Sequence, residues 1–91
     1  MKRVVLFTVA AVAMATPALA AGGCSTAPES QWQPQSKLES DLQASGMTVR
    51  QIKVENGCYE VYAIDKDGKR VNLAYNAETL QQLDNAEAGE N

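Results

Sequence analysis

The alternation of apolar and polar residues predicts most of the secondary structure in the second half of the chain. Asn56-Gly57 is a two-residue type I′ turn signal, and Gly68 suits the left-handed position of a three-residue hairpin loop. Three segments around these turns are rich in β-branched and aromatic residues, the types enriched in strands: 47–55, 58–65 and 69–75. The pattern therefore predicts an antiparallel meander of three strands.

The two turns also set the register of the predicted sheet. They place these pairs on one face: Ala63 with Val71, Val61 with Leu73, Tyr59 with Tyr75, Val54 with Tyr59, and Ile52 with Val61. Strict continuation would set Arg50 opposite Ala63, although Val49 is the apolar residue at this point. We therefore expect a β-bulge near Arg50-Gln51 that resets the alternation.

A short helix is predicted ahead of the sheet. Ser36 and Glu39 match a capping box, in which the hydroxyl and the carboxylate accept the free backbone N–H groups of each other's residue. Gly46 supplies a left-handed residue that ends the helix, so its expected range is 37–45.

One face of this helix carries Leu38 and Leu42, which must cover the apolar face of the sheet because that face would otherwise be in water. The predicted fold is therefore α+β, with one helix packed on a three-stranded antiparallel meander. The sequence does not decide whether a fourth strand follows, since the segment after Asn76 fits either a strand or a short helix. The other sheet face is mostly polar, and Lys53 opposite Glu60 is expected to form an exposed ion pair.

The predicted organisation has four parts: a signal peptide at 1–20, an extended leader at 21–35, a folded module at 36–85 and a flexible acidic tail at 86–91. The N-terminus has a basic start and then an apolar run that is too short to span a bilayer. A small-x-small pattern that ends at Ala20 favours cleavage before Ala21. We therefore expect a periplasmic or secreted bacterial protein.

The two cysteines, Cys24 and Cys58, both follow the predicted cleavage site. Exported proteins reach an oxidising compartment in which thiols pair, so we expect a disulfide that closes a loop of about 35 residues. An alternative stays open, because small residues precede Cys24 much as they precede the lipid-modified cysteine of lipoproteins. Lipidation of Cys24 would leave Cys58 free and attach the protein to a membrane.

Charge and composition exclude several classes of function. Without residues 1–20 the chain has six Lys and Arg against eleven Asp and Glu, and this net charge of −5 argues against nucleic acid and anionic membranes as partners. The chain has no histidine, the commonest general base and metal ligand. Asp65-Lys66-Asp67-Gly68 lacks the further ligands of a calcium loop, so we interpret it as a hairpin turn. We expect no catalytic residue, no metal and no cofactor.

The strands also resemble a known family. The run Gly-Cys-Tyr-Glu-Val-Tyr at 57–62 and the run Asp-x-Asp-Gly-Lys at 65–69, with Cys24 and Trp32 upstream, are similar to PepSY domains (peptidase propeptide and YpeB-type), especially their short exported stand-alone members. The resemblance implies a helix packed on an antiparallel sheet and a role in binding and restraining peptidases or other envelope proteins. Similar members continue into a further strand, for which the sequence from Asn76 lacks the usual Asp-Pro-x-Thr-Gly motif.

The resemblance and the absence of catalytic groups lead to a functional hypothesis. The chain is expected to be a small exported binding module whose partner is a protein, with a protease as one candidate. Tyr62, Ile64, Arg70 and Asn72 are predicted to be the binding residues on the polar face of the sheet. An exposed sheet edge is a second expected contact, and the third predicted strand is the favoured edge if no fourth strand follows. The alternative is a structural envelope protein or lipoprotein without a specific client.

Overall fold

One helix and three strands follow one another within residues 23–89, the part of the chain that the computed structural model describes. A 3₁₀ turn at Glu29–Gln31 comes first, and the main elements are α1 (Gln35–Ala44), β1 (Thr48–Glu55), β2 (Cys58–Ile64) and β3 (Arg70–Asn76). The sheet has the antiparallel order β1-β2-β3, which confirms the predicted α+β fold. The predicted signal peptide and its cleavage site lie outside the described residues. Within those residues, no helix has the length and apolar character needed to cross a membrane.

The turns have the backbone geometry that the sequence predicts. Asn56 and Gly57 have φ angles of 45° and 87°, both positive as a type I′ turn requires. Gly68 has a φ of 83° in the second hairpin. Because turn geometry fixes hairpin register, all five predicted cross-strand pairs are present.

The predicted bulge is also present in β1. Val49 pairs with Ala63, and the next pair joins Gln51 to Tyr62, so Arg50 is the extra residue. A bulge of this kind lets Val49 and the apolar residues after it share one face. It also gives Arg50 a direction that strict alternation would not provide.

The helix begins two residues earlier than predicted, and the capping box does not form. Pro34 is the N-cap and has no side-chain hydrogen bond there, while its carbonyl accepts the N–H of Lys37 at 3.1 Å. Proline suits a helix start because its φ, here −68°, is already restricted and it has no N–H to leave unpaired. Ser36 and Glu39 therefore both lie inside the helix rather than at its cap, and the predicted capping box was wrong.

The end of the helix follows the prediction. Gly46 has a φ of 97°, and its N–H donates to the carbonyl of Gln43 at 3.0 Å. The N–H of Met47 donates to the carbonyl of Leu42, also at 3.0 Å. These two bonds are the pair that defines a Schellman motif, so the last carbonyls of α1 have partners.

The main core lies between α1 and the predicted apolar face of the sheet. Trp32 of the leader packs edge-on against Tyr59, with ring centroids 6.1 Å apart, and the Tyr59 hydroxyl donates to the carbonyl of Gln33 at 2.6 Å. The leader therefore lies along this core. The buried members of the core are Leu38, Leu42, Tyr59, Val61, Ala63, Tyr75 and Ala77.

The opposite face of the sheet is half covered by the C-terminal segment, residues 77–89. The N–H of Leu83 donates to the carbonyl of Ala74 at 2.8 Å, and Gln82 forms an isolated antiparallel bridge with Tyr75. The sequence left open whether a fourth strand follows β3. Among residues 23–89, this short pairing occupies that place. A second buried cluster lies on this face: Cys58, Ala74, Leu83 and Ala88, with Cys24 packed against it.

The described part of the predicted acidic tail, residues 86–89, is docked on the fold. Ala88 is buried, and the side-chain amide of Asn56 donates to the carbonyl of Gly89 at 2.6 Å. A Cβ on Gly89 would lie 2.2 Å from the carbonyl oxygen of Glu55, so the two backbones are in close contact. These four residues therefore contact the fold, and the flexibility of the tail stays a prediction.

Glu60 differs most from its predicted surroundings. It faces Lys53 across the strand pair as expected, but the Lys53 ammonium lies 3.4 Å from the carboxylate of Glu55 instead. Glu60 is only 1% exposed, because the C-terminal segment covers this end of the face. The predicted exposed ion pair was therefore wrong.

Candidate binding face

A disulfide joins Cys24 to Cys58 and ties the leader to the start of β2. The two Cα atoms are 4.9 Å apart, within the usual range for disulfides. The N–H groups of Ser25 and Ala77 both donate to the carbonyl of Gly57, at 2.9 and 3.0 Å. The leader, the first turn and the C-terminal segment therefore meet at one point. This bond confirms the predicted pairing. Lipidation of Cys24 would use the same sulfur atom, so the disulfide and the lipid exclude each other.

The four predicted binding residues lie together at the uncovered end of this face. Tyr62 pairs with Asn72, and the adjacent pair joins Ile64 to Arg70, so their side chains occupy one side of β2 and β3. Arg70 and Asn72 are exposed, and Tyr62 and Ile64 are half-buried. The structure therefore brings these residues into one patch, and their role in binding stays a prediction.

A groove with a volume of about 350 Å³ lies at this patch, and we call it the arginine groove. The sequence analysis did not select Arg50 or Gln51 as site residues. The bulge was the available signal, because bulges often redirect side chains beside functional sites. The groove is lined by Arg50, Gln51, Tyr62, Ala63, Ile64, Arg70, Val71 and Asn72.

Tyr62 is held in place from two sides. Its hydroxyl donates a hydrogen bond to the buried carboxylate of Glu60. The ammonium of Lys53 lies 5.8 Å from the centroid of its ring, within the range of a cation–π contact. The aromatic wall of the groove is therefore ordered before any partner binds.

The lining of the groove holds two guanidinium groups and no carboxylate. Arg50 and Arg70 are both exposed, and neither forms an ion pair within residues 23–89. The carboxylate of Asp65, which follows β2, accepts the N–H groups of Asp67 and Lys69 at 2.8 and 2.9 Å. These bonds confirm the predicted hairpin turn and give this carboxylate two backbone donors in place of an arginine partner.

The strand edges differ from the expected arrangement. The sequence favoured the edge of the third strand as a contact, but Gln82 and Leu83 pair with the second half of β3. β1 is the edge strand without such cover among the described residues, and Val54 on it is 48% exposed. A second groove of about 380 Å³ separates β1 from α1 and is lined by Gln35, Ser36, Glu39, Val49, Arg50, Gln51 and Ile52.

The two tyrosines with a raised pKa lie in the core rather than in the arginine groove. Burial raises the pKa of Tyr75, and burial together with the nearby Glu29 carboxylate raises the pKa of Tyr59. In the described ranges no cluster of three or more Cys, Asp or Glu side chains could hold a metal ion. The groove therefore offers hydrogen-bond donors, positive charge and apolar surface, which are means of recognition.

The comparison with protein families identifies the kind of module. The family model for the peptidase propeptide and YPEB domain, PepSY_2, matches residues 4–86. The chain belongs to the PepSY family. This membership confirms the resemblance seen in its strands and supports a propeptide-like or inhibitor-like module in general. No curated protein and no solved structure matches the chain significantly.

The PepSY match covers every feature of the candidate site. Both cysteines and all residues of the arginine groove lie inside the matched range, as does most of the C-terminal segment. Of the described residues, 87–89 lie beyond the match. The groove and the disulfide are therefore parts of the PepSY module of this chain.

Proposed function

We propose that this protein is an exported, non-catalytic PepSY module that binds a protein partner, with a peptidase as the leading candidate, through the arginine groove. The observation that carries the proposal is the half-covered sheet face. The C-terminal segment buries one end, while Tyr62, Ile64, Arg70 and Asn72 remain accessible at the other. Family membership supports restraint of a peptidase, and the disulfide supports export to an oxidising compartment.

The composition of the groove suits a protein partner. Tyr62 and Ile64 form a half-buried apolar centre, and Arg70 and Asn72 form an exposed polar rim. Interfaces between proteins commonly have this arrangement, and tyrosine and arginine are enriched among the residues that dominate binding energy. Because Tyr62 is already held by Glu60, less side-chain entropy is lost on binding.

The proposal is tested with a variant that changes the groove without disturbing Glu60. Ile64→Ser combined with Asn72→Ala removes two lining side chains and keeps the hydrogen bond from Tyr62. The wild-type domain and the variant are immobilised and exposed to envelope extract of the producing bacterium. We expect the wild type to retain a peptidase and to inhibit its activity, and the variant to lose both effects.

Val54→Ser is the matched control, because it removes an exposed apolar side chain away from the arginine groove. It should behave as the wild type, and circular dichroism should show that all three proteins are folded. Loss of capture in the control alone would instead favour addition of a partner strand at the β1 edge. Failure of the wild type to retain any protein would favour the structural envelope alternative.

A further inference from the structure

We infer that the arginine groove recognises an acidic segment of the partner, in which an apolar side chain lies between two carboxylates. This inference rests on the proposed function and specifies the chemistry of the partner. It begins from the contrast between the groove and the rest of the chain. Acidic residues outnumber basic ones by eleven to eight in the whole sequence, yet the groove contains Arg50 and Arg70 and no Asp or Glu.

Most of the positive charge of the described residues lies in one stretch of the chain, which includes both arginines of the groove. Five of the six Lys and Arg residues after position 22 fall between residues 50 and 70. The carboxylates in the same stretch are largely engaged elsewhere. Glu55 pairs with Lys53, Glu60 is buried against Tyr62, and Asp65 caps the second hairpin. Neither Arg50 nor Arg70 has a described carboxylate within ion-pair distance, so both guanidinium groups remain available to a partner carboxylate.

The order of the strands places these groups in a sequence across the sheet. Arg50 is on β1, Tyr62 and Ile64 are on the central strand β2, and Arg70 is on β3. β1 and β3 are two strand spacings apart, which is about 10 Å. A segment that crosses the strands would meet a guanidinium, then apolar surface, then a second guanidinium.

An extended segment can match this arrangement because alternate side chains point to the same side. The Cα atoms of residues i and i+4 are about 13 Å apart, and the residue at i+2 lies between them on the same side. Arginine side chains are long and bind carboxylates through two parallel N–H groups. The amides of Gln51 and Asn72 supply further donors in the same lining.

The test uses two capped pentapeptides of identical length. The acidic probe has glutamate at both ends, leucine in the middle and threonine between, and the neutral probe replaces both glutamates by glutamine. We expect the folded oxidised domain to bind the acidic probe about tenfold more tightly than the neutral one, because charge-assisted bonds are the stronger kind. Raising the salt concentration should reduce this preference.

Two double variants each remove two positive charges, one pair inside the lining of the groove and one pair outside it. Arg50→Gln with Arg70→Gln should reduce affinity for the acidic probe about tenfold, whereas Lys66→Gln with Lys69→Gln, outside the lining, should change it less than about twofold. Equal loss in both pairs, or equal affinity for the two probes, would overturn the inference and leave the groove as a charge-independent site. Absence of probe binding would overturn it as well, while retention and inhibition of a peptidase by the wild type would still support the proposed function.

Discussion

The hydroxyl of Tyr62 donates a hydrogen bond to the carboxylate of Glu60, two residues earlier on the same face of β2. Glu60 lies beneath the C-terminal segment, and Tyr62 lies in the wall of the arginine groove. One bond therefore links the covered and the open end of the sheet face. It helps to orient the aromatic ring and gives a buried carboxylate a donor, so removal of the whole Tyr62 side chain would affect both folding and the groove.

The first prediction concerns this bond. Tyr62→Phe keeps the ring but removes the donor, so it should lower the free energy of unfolding by about 1 to 3 kcal/mol, the usual effect of leaving a buried acceptor without a partner. Urea unfolding of the oxidised protein measures the change. Binding at the groove should be retained, since the ring remains.

A double-mutant cycle separates the bond from other effects of the substitution. Glu60→Leu with Tyr62→Phe removes both partners and should be less destabilised than the sum of the two single variants. Additive losses would show that the hydroxyl and the carboxylate do not stabilise each other. The comparison requires native near-ultraviolet circular dichroism in all four proteins.

The sheet could be predicted because local signals determine it. Asn56 and Gly57 define the first turn, the turn defines the register, and the position of Val49 requires the bulge at Arg50. The start of the helix was misplaced because two local signals compete. Pro34 and the Ser36 pattern both favour a helix start, and the restricted φ of proline acts two residues earlier.

The covered half of the second sheet face could not be predicted from pattern alone. The pattern after Asn76 fits either a strand or a short helix, and the position of residues 77–89 depends on contacts with distant residues. Leu83 bonds to Ala74, and Gly89 lies against the backbone of Glu55. The burial of Glu60 is a consequence of these contacts, so its sequence context gave no sign of it.

The second prediction concerns the disulfide, whose cysteines are 34 positions apart. Loop closure in the unfolded chain suggests a contribution of about 3 to 4 kcal/mol to the free energy of unfolding. Cys24→Ala with Cys58→Ala should therefore lower the urea midpoint strongly. A reducing agent should lower the wild-type midpoint to a similar value and leave the variant unchanged. Two reactive thiols in the wild-type protein, isolated without a reducing agent, would contradict the bond itself.

The third prediction compares two glycines with nearly equal φ angles, 87° at Gly57 and 83° at Gly68. An alanine at either position has an unfavourable left-handed backbone, at about 1 to 2 kcal/mol. A Cβ at Gly57 would also lie 2.0 Å from the carbonyl oxygen of Ser25, whereas nothing lies within 4 Å at Gly68. Gly57→Ala should therefore be clearly more destabilising than Gly68→Ala in urea unfolding. Equal losses would mean that the leader does not lie against this turn.

The last prediction concerns alkaline pH. Burial raises the pKa of Tyr75, and burial with the Glu29 carboxylate raises the pKa of Tyr59, relative to about 10 for an exposed tyrosine. Above that pH the unfolded chain has lost a proton that the folded chain keeps. The unfolded state therefore binds fewer protons, and stability must fall as pH rises.

Tyr75→Phe isolates one part of this dependence. The contribution of Tyr75 is fully present below about pH 10 and is lost as pH rises through the higher pKa of the folded state. We expect the urea midpoint of the wild type to decrease more steeply than that of the variant between about pH 9 and pH 11. Lysine titration is common to both proteins and cancels in the difference. Parallel decreases would show that the Tyr75 hydroxyl titrates as it does in the unfolded chain, and hence that this side chain is not buried in the main core.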